Sequence, residues 1–342
     1  MKSVNIIVAG FGRVGRAFWK VVEDKRRVCR ERYGLDLVLR AVFKSDGGVF
    51  NDSPISVEPY IQNASLGVQK HPNWKPNLQV QNIIGELEPG VLIECTPSDL
   101  RTGEPGLSHL TTALNKGWHA AAASKGALVL RFKELTGLAR RNGLQLRCSG
   151  AAAAALPTLD VGIHSLAGAE ILGIEGILNG TTNFILTRMG EGMNSEQALK
   201  EAQDKGIAEP DPGFDIDGWD TASKLVLISN AVLGTDFGLN EVQVEGIRGL
   251  SHELVVKANR LGKAIKLMGT CSKDERDHPW KLAVGLALLS PSHPLYGVNE
   301  TTKGITFDTD TMGSVTVMGG KSDPLGTGAA LLKDIIGIYA DR

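Results

Sequence analysis

The sequence predicts an α/β protein: a Rossmann-type, doubly wound parallel sheet followed by a second α+β domain. Three observations carry this expectation. The apolar run at 4–9 breaks into the glycine turn "GFGRVGRAF". Strand-like and helix-like patterns then alternate to about position 148, as right-handed βαβ crossovers require. Past Ser149 the rhythm changes, with helical patterns first and strand patterns after them.

The β-branched run at 4–9 has the length of a buried strand, and helical spacing over 16–32 follows its turn. Residues 35–43 form the next expected strand and Val91–Glu94 another, with an irregular Pro- and Asn-rich stretch at 51–81 between them. "LSHLTTALNKGWHAAAASKGALV" reads as a helix stopped at Gly117, a short strand and a loop around Lys125. A helix at 132–142 and a strand at 144–147 close the first domain. "SGAAAAALPTLDVGIHSL" leads into a helix. The apolar run at 174–178 then ends at Asn179-Gly180, where Thr181, Thr182 and Asn183 are expected to cap the next helix. Further helices are expected at 195–205 and 221–233. "AIKLMGTC", "WKLAVGLALL" and "GSVTVMGG" read as strands of a mixed sheet, and 327–338 as a final amphipathic helix. The expected domains are 1–148, completed by a segment from about 305 to 342, and 149–304.

The 342 residues are 42% hydrophobic and 22% charged, ordinary values for a packed protein. A net charge of -1 and 5% aromatic residues argue against nucleic-acid and membrane partners. Cys29, Cys95, Cys148 and Cys271 lie far apart, without metal-finger spacing, which favours a reducing cytoplasm. The start "MKSVNIIVAGFG" lacks a signal-peptide pattern, and no stretch has the length of a membrane span.

Gly10, Gly12 and Gly15 satisfy G-x-G-x-x-G between a strand and a helix, the context the dinucleotide fingerprint demands. Gly10 would make the tight turn, Gly12 admit a pyrophosphate, and Gly15 let helix and strand pack closely. With Phe11, Arg13 and Val14 these residues form the candidate cofactor turn. At the end of the second strand, "LRAVFKSDGG", Lys44 stands at the tip where an NAD-selective carboxylate would stand, and Asp46 comes late. NADP is therefore expected over NAD.

Asp220 and Lys224 share one helix face at i and i+4. Such a pair is commonly a cap with a surface salt bridge. Here Glu209, Asp211, Asp215 and Asp217 crowd the preceding loop, and Trp219 with "KLVLIS" implies a buried helix. The seven histidines form no metal motif, so acid–base work falls to a lysine or a carboxylate. A lysine in a dehydrated pocket can exchange a proton near neutral pH. Lys125, in a small-residue segment, is the second candidate, against the plain alternative of a solvated loop lysine.

"IECTPSDLRTGEPGLSHL", "HAAAASKGAL", "GILNGTTNFIL" and "GIAEPDPGFDIDGWDTASKL", taken with the glycine turn, resemble the homoserine dehydrogenase family in the right order over nearly the whole chain. The resemblance implies reversible oxidation of L-homoserine to L-aspartate 4-semialdehyde with NAD(P), in threonine, methionine and isoleucine biosynthesis. It implies that Thr96 and Pro97 lie beside the nicotinamide and that Lys224 and Lys125 flank the reacting C–O group, Lys224 moving the proton. Glu209 would bind the substrate ammonium, assisted by Asp215 and Asp220. The turn at Gly180 and Thr181 would receive the carboxylate. Gly206 is expected to let the acidic loop approach the cofactor, and Gly326 to touch it. A homodimer joined through the second domain's sheet is expected, in a short form without the regulatory or kinase domain of longer members. One departure is visible: Ser149 stands where the family has a cation-binding glutamate. The carbonyls of Ala152, Ala154 and Leu156 remain as possible ligands for a monovalent cation, without that anion. The competing readings are a semialdehyde dehydrogenase using Cys148, another amino-acid dehydrogenase, and a non-catalytic dinucleotide sensor.

Overall fold

The computed structural model describes residues 1–51, 53–63, 65–274, 278–320 and 323–340. The chain divides into two units: Met1–Ala155 with Asp323–Arg342, and Leu156–Ser322.

The first unit is built on β1 (Lys2–Ala9), β2 (Leu35–Lys44), β3 (Gly47–Phe50), β4 (Trp74–Pro76), β5 (Val91–Glu94), β6 (His119–Ala122) and β7 (Leu146–Arg147). Their order is β4-β3-β2-β1-β5-β6-β7. The five strands from β2 to β7 across β1 are parallel, as expected, but β3 and β4 add an antiparallel edge. β4 comes from the stretch 51–81 expected to be irregular and β3 from the residues just before it; both strands are too short to carry a period. Ile6, Ile7, Val8, Leu92 and Ile93 are fully buried, because helices cover both faces of a parallel sheet. The helix Arg13–Tyr33 packs along the C-terminal helix Pro324–Ala340. Gly328 permits that approach: a Cβ there would stand 2.8 Å from the Phe18 backbone.

Strand order reverses at β1, with β2 on one side and β5 on the other. In open α/β sheets the crevice beyond the strands' carboxyl ends at this point receives the ligand.

The second unit holds β8 (Ile171–Ile177), β9 (Val242–Val244), β10 (Ala264–Ser272), β11 (Lys281–Leu289), β12 (Lys303–Thr309) and β13 (Ser314–Gly319), ordered β13-β12-β8-β10-β11-β9. Pairing is antiparallel except between β9 and β11, so the sheet is mixed. The domain boundary therefore differs from the expected one. β12 and β13 pair outward from β8 and stay in the second unit, and the segment that completes the first unit starts near Asp323 rather than 305. β12, flanked by β8 and β13, escapes the sequence because buried Lys303 and Thr306 interrupt its apolar pattern.

Lys266 on β10 is 2% exposed and donates to Asn183 Oδ1 at 3.0 Å, Val298 O at 2.5 Å and Asn299 Oδ1 at 2.9 Å. Asn183 Nδ2 in turn donates to the carbonyls of Val298 and Thr302, so one network ties the helix Gly180–Gly190 to the sheet. Burial pushes the Lys266 ammonium down to about 8 from its ordinary 10.5. Below about pH 8 both folded and unfolded chains carry this proton and stability is flat in pH. Between about 8 and 10.5 only the unfolded chain keeps it, so this group makes stability rise with pH. Wild type is expected to gain up to about 3 kcal/mol over Lys266→Met across that window, measured by urea unfolding. Equal pH slopes in the two proteins would refute the assignment.

Candidate active site

In the first unit the site begins with three glycines that serve three different needs. Gly10 has φ +92°, and a Cβ there would fall 2.5 Å from the Cys95 backbone. At Gly15 a Cβ would fall 2.3 Å from the Gly10 carbonyl. At Gly12 it would meet nothing within 4 Å, and φ is an ordinary -88°. No protein atom demands glycine there, so the open space fits the close approach of a pyrophosphate. Gly12 also precedes a 21-residue helix with no side-chain cap and no acidic residue in its first turn, leaving its N–H groups for an anion.

The other members of the turn divide. Arg13 is exposed, Val14 packs against the core, and Phe11 is 1% exposed within it. The Phe11 side chain therefore anchors the turn in the core, and its backbone is what remains for a cofactor contact. Lys44 is exposed at the end of β2. The Asp46 carboxylate two residues on is engaged by Gln69 Nε2 at 3.0 Å, a bond that holds it below the usual carboxylate range.

Beyond β5, Thr96 donates both its N–H, at 2.8 Å, and its hydroxyl to Oε1 of the fully buried Glu94. The other Glu94 oxygen pairs with His109 Nδ1 at 2.7 Å. Pro97 is exposed beside this knot. Lys125 precedes the helix Gly126–Arg141 and donates its backbone N–H to Ser98 Oγ at 2.8 Å. Gly126 lies so close to the Asp99 carbonyl that a Cβ would stand 2.3 Å from it. The Lys125 loop is thus clamped onto the Thr96 loop. The Ser124 hydroxyl, 4% exposed, has no partner among the described residues. Glu94, His109 and Ser124 were not foreseen. Glu94 and His109 stand 15 positions apart and fit no motif.

In the second unit the hub is Asn179. Its Nδ2 donates to Asp215 Oδ1 and to Asp220 Oδ2, each at 2.7 Å. Its Oδ1 accepts from Thr182 N at 2.8 Å and from the Thr182 hydroxyl at 3.1 Å. Asn179 is therefore the N-cap of the helix Gly180–Gly190, whose start the sequence reading gave to Thr181, Thr182 and Asn183. Lys224 Nζ donates to Asp220 Oδ2 at 2.5 Å and to Leu178 O at 3.1 Å. Two of its three hydrogens are committed, and one direction is left for a substrate oxygen. Side-chain exposures of 16% for Lys224 and 8% for Asp220 put the pair well beyond a surface salt bridge.

The remaining expected residues fall as follows. Gly180 and Thr181 are buried, and Thr181 Oγ1 donates to Ile207 O at 3.1 Å, joining the turn to the acidic loop. Gly206 has φ +69° and open space around it, so backbone conformation rather than close approach explains the glycine. Glu209 is exposed, while its carbonyl accepts from Gln203 Nε2 at 3.2 Å. Trp219 is 41% exposed and does not bury the helix Trp219–Leu233, which is buried instead through Asp220 and the stretch from Leu225 to Asn230. Gly326 N donates to Asp323 Oδ1 at 2.6 Å inside the first turn of its helix, and the close helix contact belongs to Gly328.

Ser149 is committed elsewhere than to a cation. Its N–H and hydroxyl both donate to buried Asp334, at 2.9 and 2.7 Å, and Lys333 Nζ donates to its oxygen at 2.8 Å. Burial pushes the Asp334 carboxyl up, opposed by Lys333 and Ser149. The Leu156 carbonyl accepts from Thr158 N at 2.8 Å, and Ala154 takes a positive φ of 54°. No cluster of three or more His, Cys, Asp or Glu suited to a metal occurs among the described residues. Cys148 is 6% exposed, a poor position for a nucleophile.

A sheet switch point with open space at the middle glycine of its turn points to the class of nicotinamide-dependent oxidoreductases. Comparison with known proteins narrows it. Residues 10–149 match the family model described as the homoserine dehydrogenase NAD binding domain, and residues 157–336 the model described as homoserine dehydrogenase. The chain belongs to the homoserine dehydrogenase family. It is 35% identical over 339 residues to a homoserine dehydrogenase of Methanocaldococcus jannaschii, covering 98% of each protein. It is 31% identical to an NAD(+)-dependent homoserine dehydrogenase of Pseudomonas canavaninivorans, covering 99% of this chain and 97% of that one. A solved structure from Archaeoglobus fulgidus, described as that of a putative homoserine dehydrogenase, superposes with a TM-score of 0.86 at 31% identity, covering 98% of this chain and 99% of the other.

Proposed function

We propose that this chain transfers hydride reversibly between L-homoserine and NAD(P)+, giving L-aspartate 4-semialdehyde, with Lys224 as the group that takes and returns the hydroxyl proton. The Lys224–Asp220–Asn179 cluster is the observation that carries the assignment of the proton. When bound, the nicotinamide supplies the hydride acceptor. The protein must then hold the alcohol, remove its proton as the C–H hydride departs, and return it in the reverse direction. In the direction left by its Asp220 and Leu178 contacts, Lys224 presents a lone pair as the amine that takes the hydroxyl proton and an N–H as the ammonium that returns it, with the Asp220 carboxylate stabilising the charge gained. Lys125 is assigned to polarise the substrate oxygen. Glu209, Asp215 and Asp220 are assigned to the substrate ammonium, and the helix start at Gly180 and Thr181 to its carboxylate.

Gly10, Gly12, Gly15, Arg13 and the Thr96–Pro97 loop are the groups that would hold the dinucleotide. The exposed Lys44 at the tip of β2 supports NADP over NAD, although the Pseudomonas canavaninivorans relative is NAD(+)-dependent. Gly206 and Gly326 have structural reasons of their own and drop to the margin of the cofactor assignment, and the Ala152, Ala154 and Leu156 carbonyls to the margin of a cation site. The resemblance supports a homodimer through the second sheet, and the exposure of Leu172, Leu288 and Met318 on its strands favours it. All four cysteines are free thiols, which agrees with a reducing cytoplasm. No helix among the described residues is long and apolar enough to cross a membrane. A place in threonine, methionine and isoleucine biosynthesis goes with the substrate.

The test is a spectrophotometric assay of cofactor reduction by homoserine against each nicotinamide, with and without a thiol-blocking reagent. Reduction that survives thiol blockade is expected, faster with NADP than with NAD. Failure to reduce either nicotinamide would overturn the function, and abolition by the reagent would favour a Cys148 nucleophile.

A further inference from the structure

We propose that Glu94 makes the protein discriminate between the redox states of its cofactor, holding the oxidised, positively charged nicotinamide more tightly than the reduced one. The inference rests on the nucleotide-binding reading of the β1 turn and goes beyond it.

The direction in which the dinucleotide lies follows from the sheet. The adenosine end belongs over the end of β2, where Lys44 stands, and the pyrophosphate over the glycine turn. The nicotinamide half must then extend to the other side of the switch point, over the ends of β5 and β6. Glu94 is the last residue of β5 and pairs in register with Ala9, the residue before the turn. It is fully buried, yet no lysine or arginine pairs with it among the described residues. Its partners are the Thr96 N–H, the Thr96 hydroxyl and the His109 ring. The surroundings are small and apolar: Ala121 and Ala122 on β6 are fully buried, and Gly106 lies beside the carboxyl group. A carboxylate with neither a lysine nor an arginine beside it in so dry a place acts over several ångströms. Its reach is visible on Cys95, whose thiol is pushed well up by burial and, secondarily, by Glu94.

The same contacts fix Thr96. Its one hydroxyl hydrogen goes to Glu94, so toward any further partner its oxygen can only accept, which suits an N–H donor such as a carboxamide. That contact serves both redox forms equally. The charge does not, because only the oxidised ring is cationic.

The experiment titrates the protein with the oxidised and reduced forms of one nicotinamide dinucleotide, followed by calorimetry. Glu94→Gln keeps the shape and can still accept from Thr96. It is expected to weaken binding of the oxidised form about tenfold and of the reduced form less than about twofold, as loss of one charge across several ångströms of protein predicts. His109→Lys, at a side chain 12% exposed, cancels the charge differently, by placing an ammonium against Glu94. It is expected to shift the ratio in the same direction, and it decides the matter alone if Glu94→Gln does not fold. Variants that weaken both forms equally would reduce Glu94 to a structural role and overturn the proposal. Binding of neither form by wild type would overturn this inference together with the nucleotide reading. Binding of both with an unchanged ratio in the variants overturns this inference alone.

Discussion

Replacing Lys224 with methionine is expected to lower kcat by about a thousandfold, the scale of a lost proton-transfer group, while dinucleotide affinity stays within about twofold of wild type. Methionine roughly preserves the length and apolar stem of the side chain but removes the donor to Asp220 and to the Leu178 carbonyl. Asp220, 6% exposed, loses its ammonium partner and keeps the Asn179 amide, so some loss of stability is expected as well. Lys224→Arg separates the two effects. A guanidinium retains the charge against Asp220 but does not give up a proton in the working pH range. Near-wild-type stability with turnover still depressed at least about a hundredfold is the expected result for that variant. Turnover restored by arginine would mean that Lys224 supplies charge alone, and the proton assignment would fall.

How far the sequence showed this site depends on the distance over which each feature is written. The glycine turn was legible because its logic is local: a strand, three glycines and a helix within a short span, and the structure gives each glycine a separate physical reason. The i, i+4 placement of Asp220 and Lys224 was legible for the same reason, since helix geometry alone aligns them. Features written across the fold were not. Glu94 meets His109 only after β5 and the helix Gly106–Asn115 pack together. Ser149 meets Asp334 over 185 positions, so its departure from the family pattern looked like a simple loss rather than a buried polar cluster. The cap of the helix Gly180–Gly190 was misplaced by a few residues because Asn179, Thr181, Thr182 and Asn183 are all capping types, and only the bond to Thr182 N chooses among them. Gly326 drew attention that belonged to Gly328 because helix–helix proximity leaves no mark on sequence beyond a small residue.

Asn179→Ala is expected to cost about 2–4 kcal/mol of unfolding free energy and to raise KM for homoserine, because one side chain holds two structures together. As an N-cap it satisfies Thr182 N; losing that contact typically costs about 1 kcal/mol. As a bridge, its two amide hydrogens separate the carboxylates of Asp215 and Asp220; Lys224 still meets Asp220, and losing the two charge-assisted bonds costs roughly a further 1–3 kcal/mol in all. Asn179→Asp divides the roles. An aspartate still caps the helix but presents an acceptor where Asp215 and Asp220 need donors, crowding three carboxylates into one place. Its unfolding midpoint in urea is expected to fall less than that of the alanine variant at acidic pH, where protonation relieves the crowding, and to lose that advantage as pH rises to neutral. Homoserine turnover should be depressed in both variants, since the carboxylate behind Lys224 is no longer held in place. If both variants unfold at the wild-type urea concentration with an unchanged KM, Asn179 is not the hub of the site. The acidic loop would then have to be ordered by contacts other than this amide.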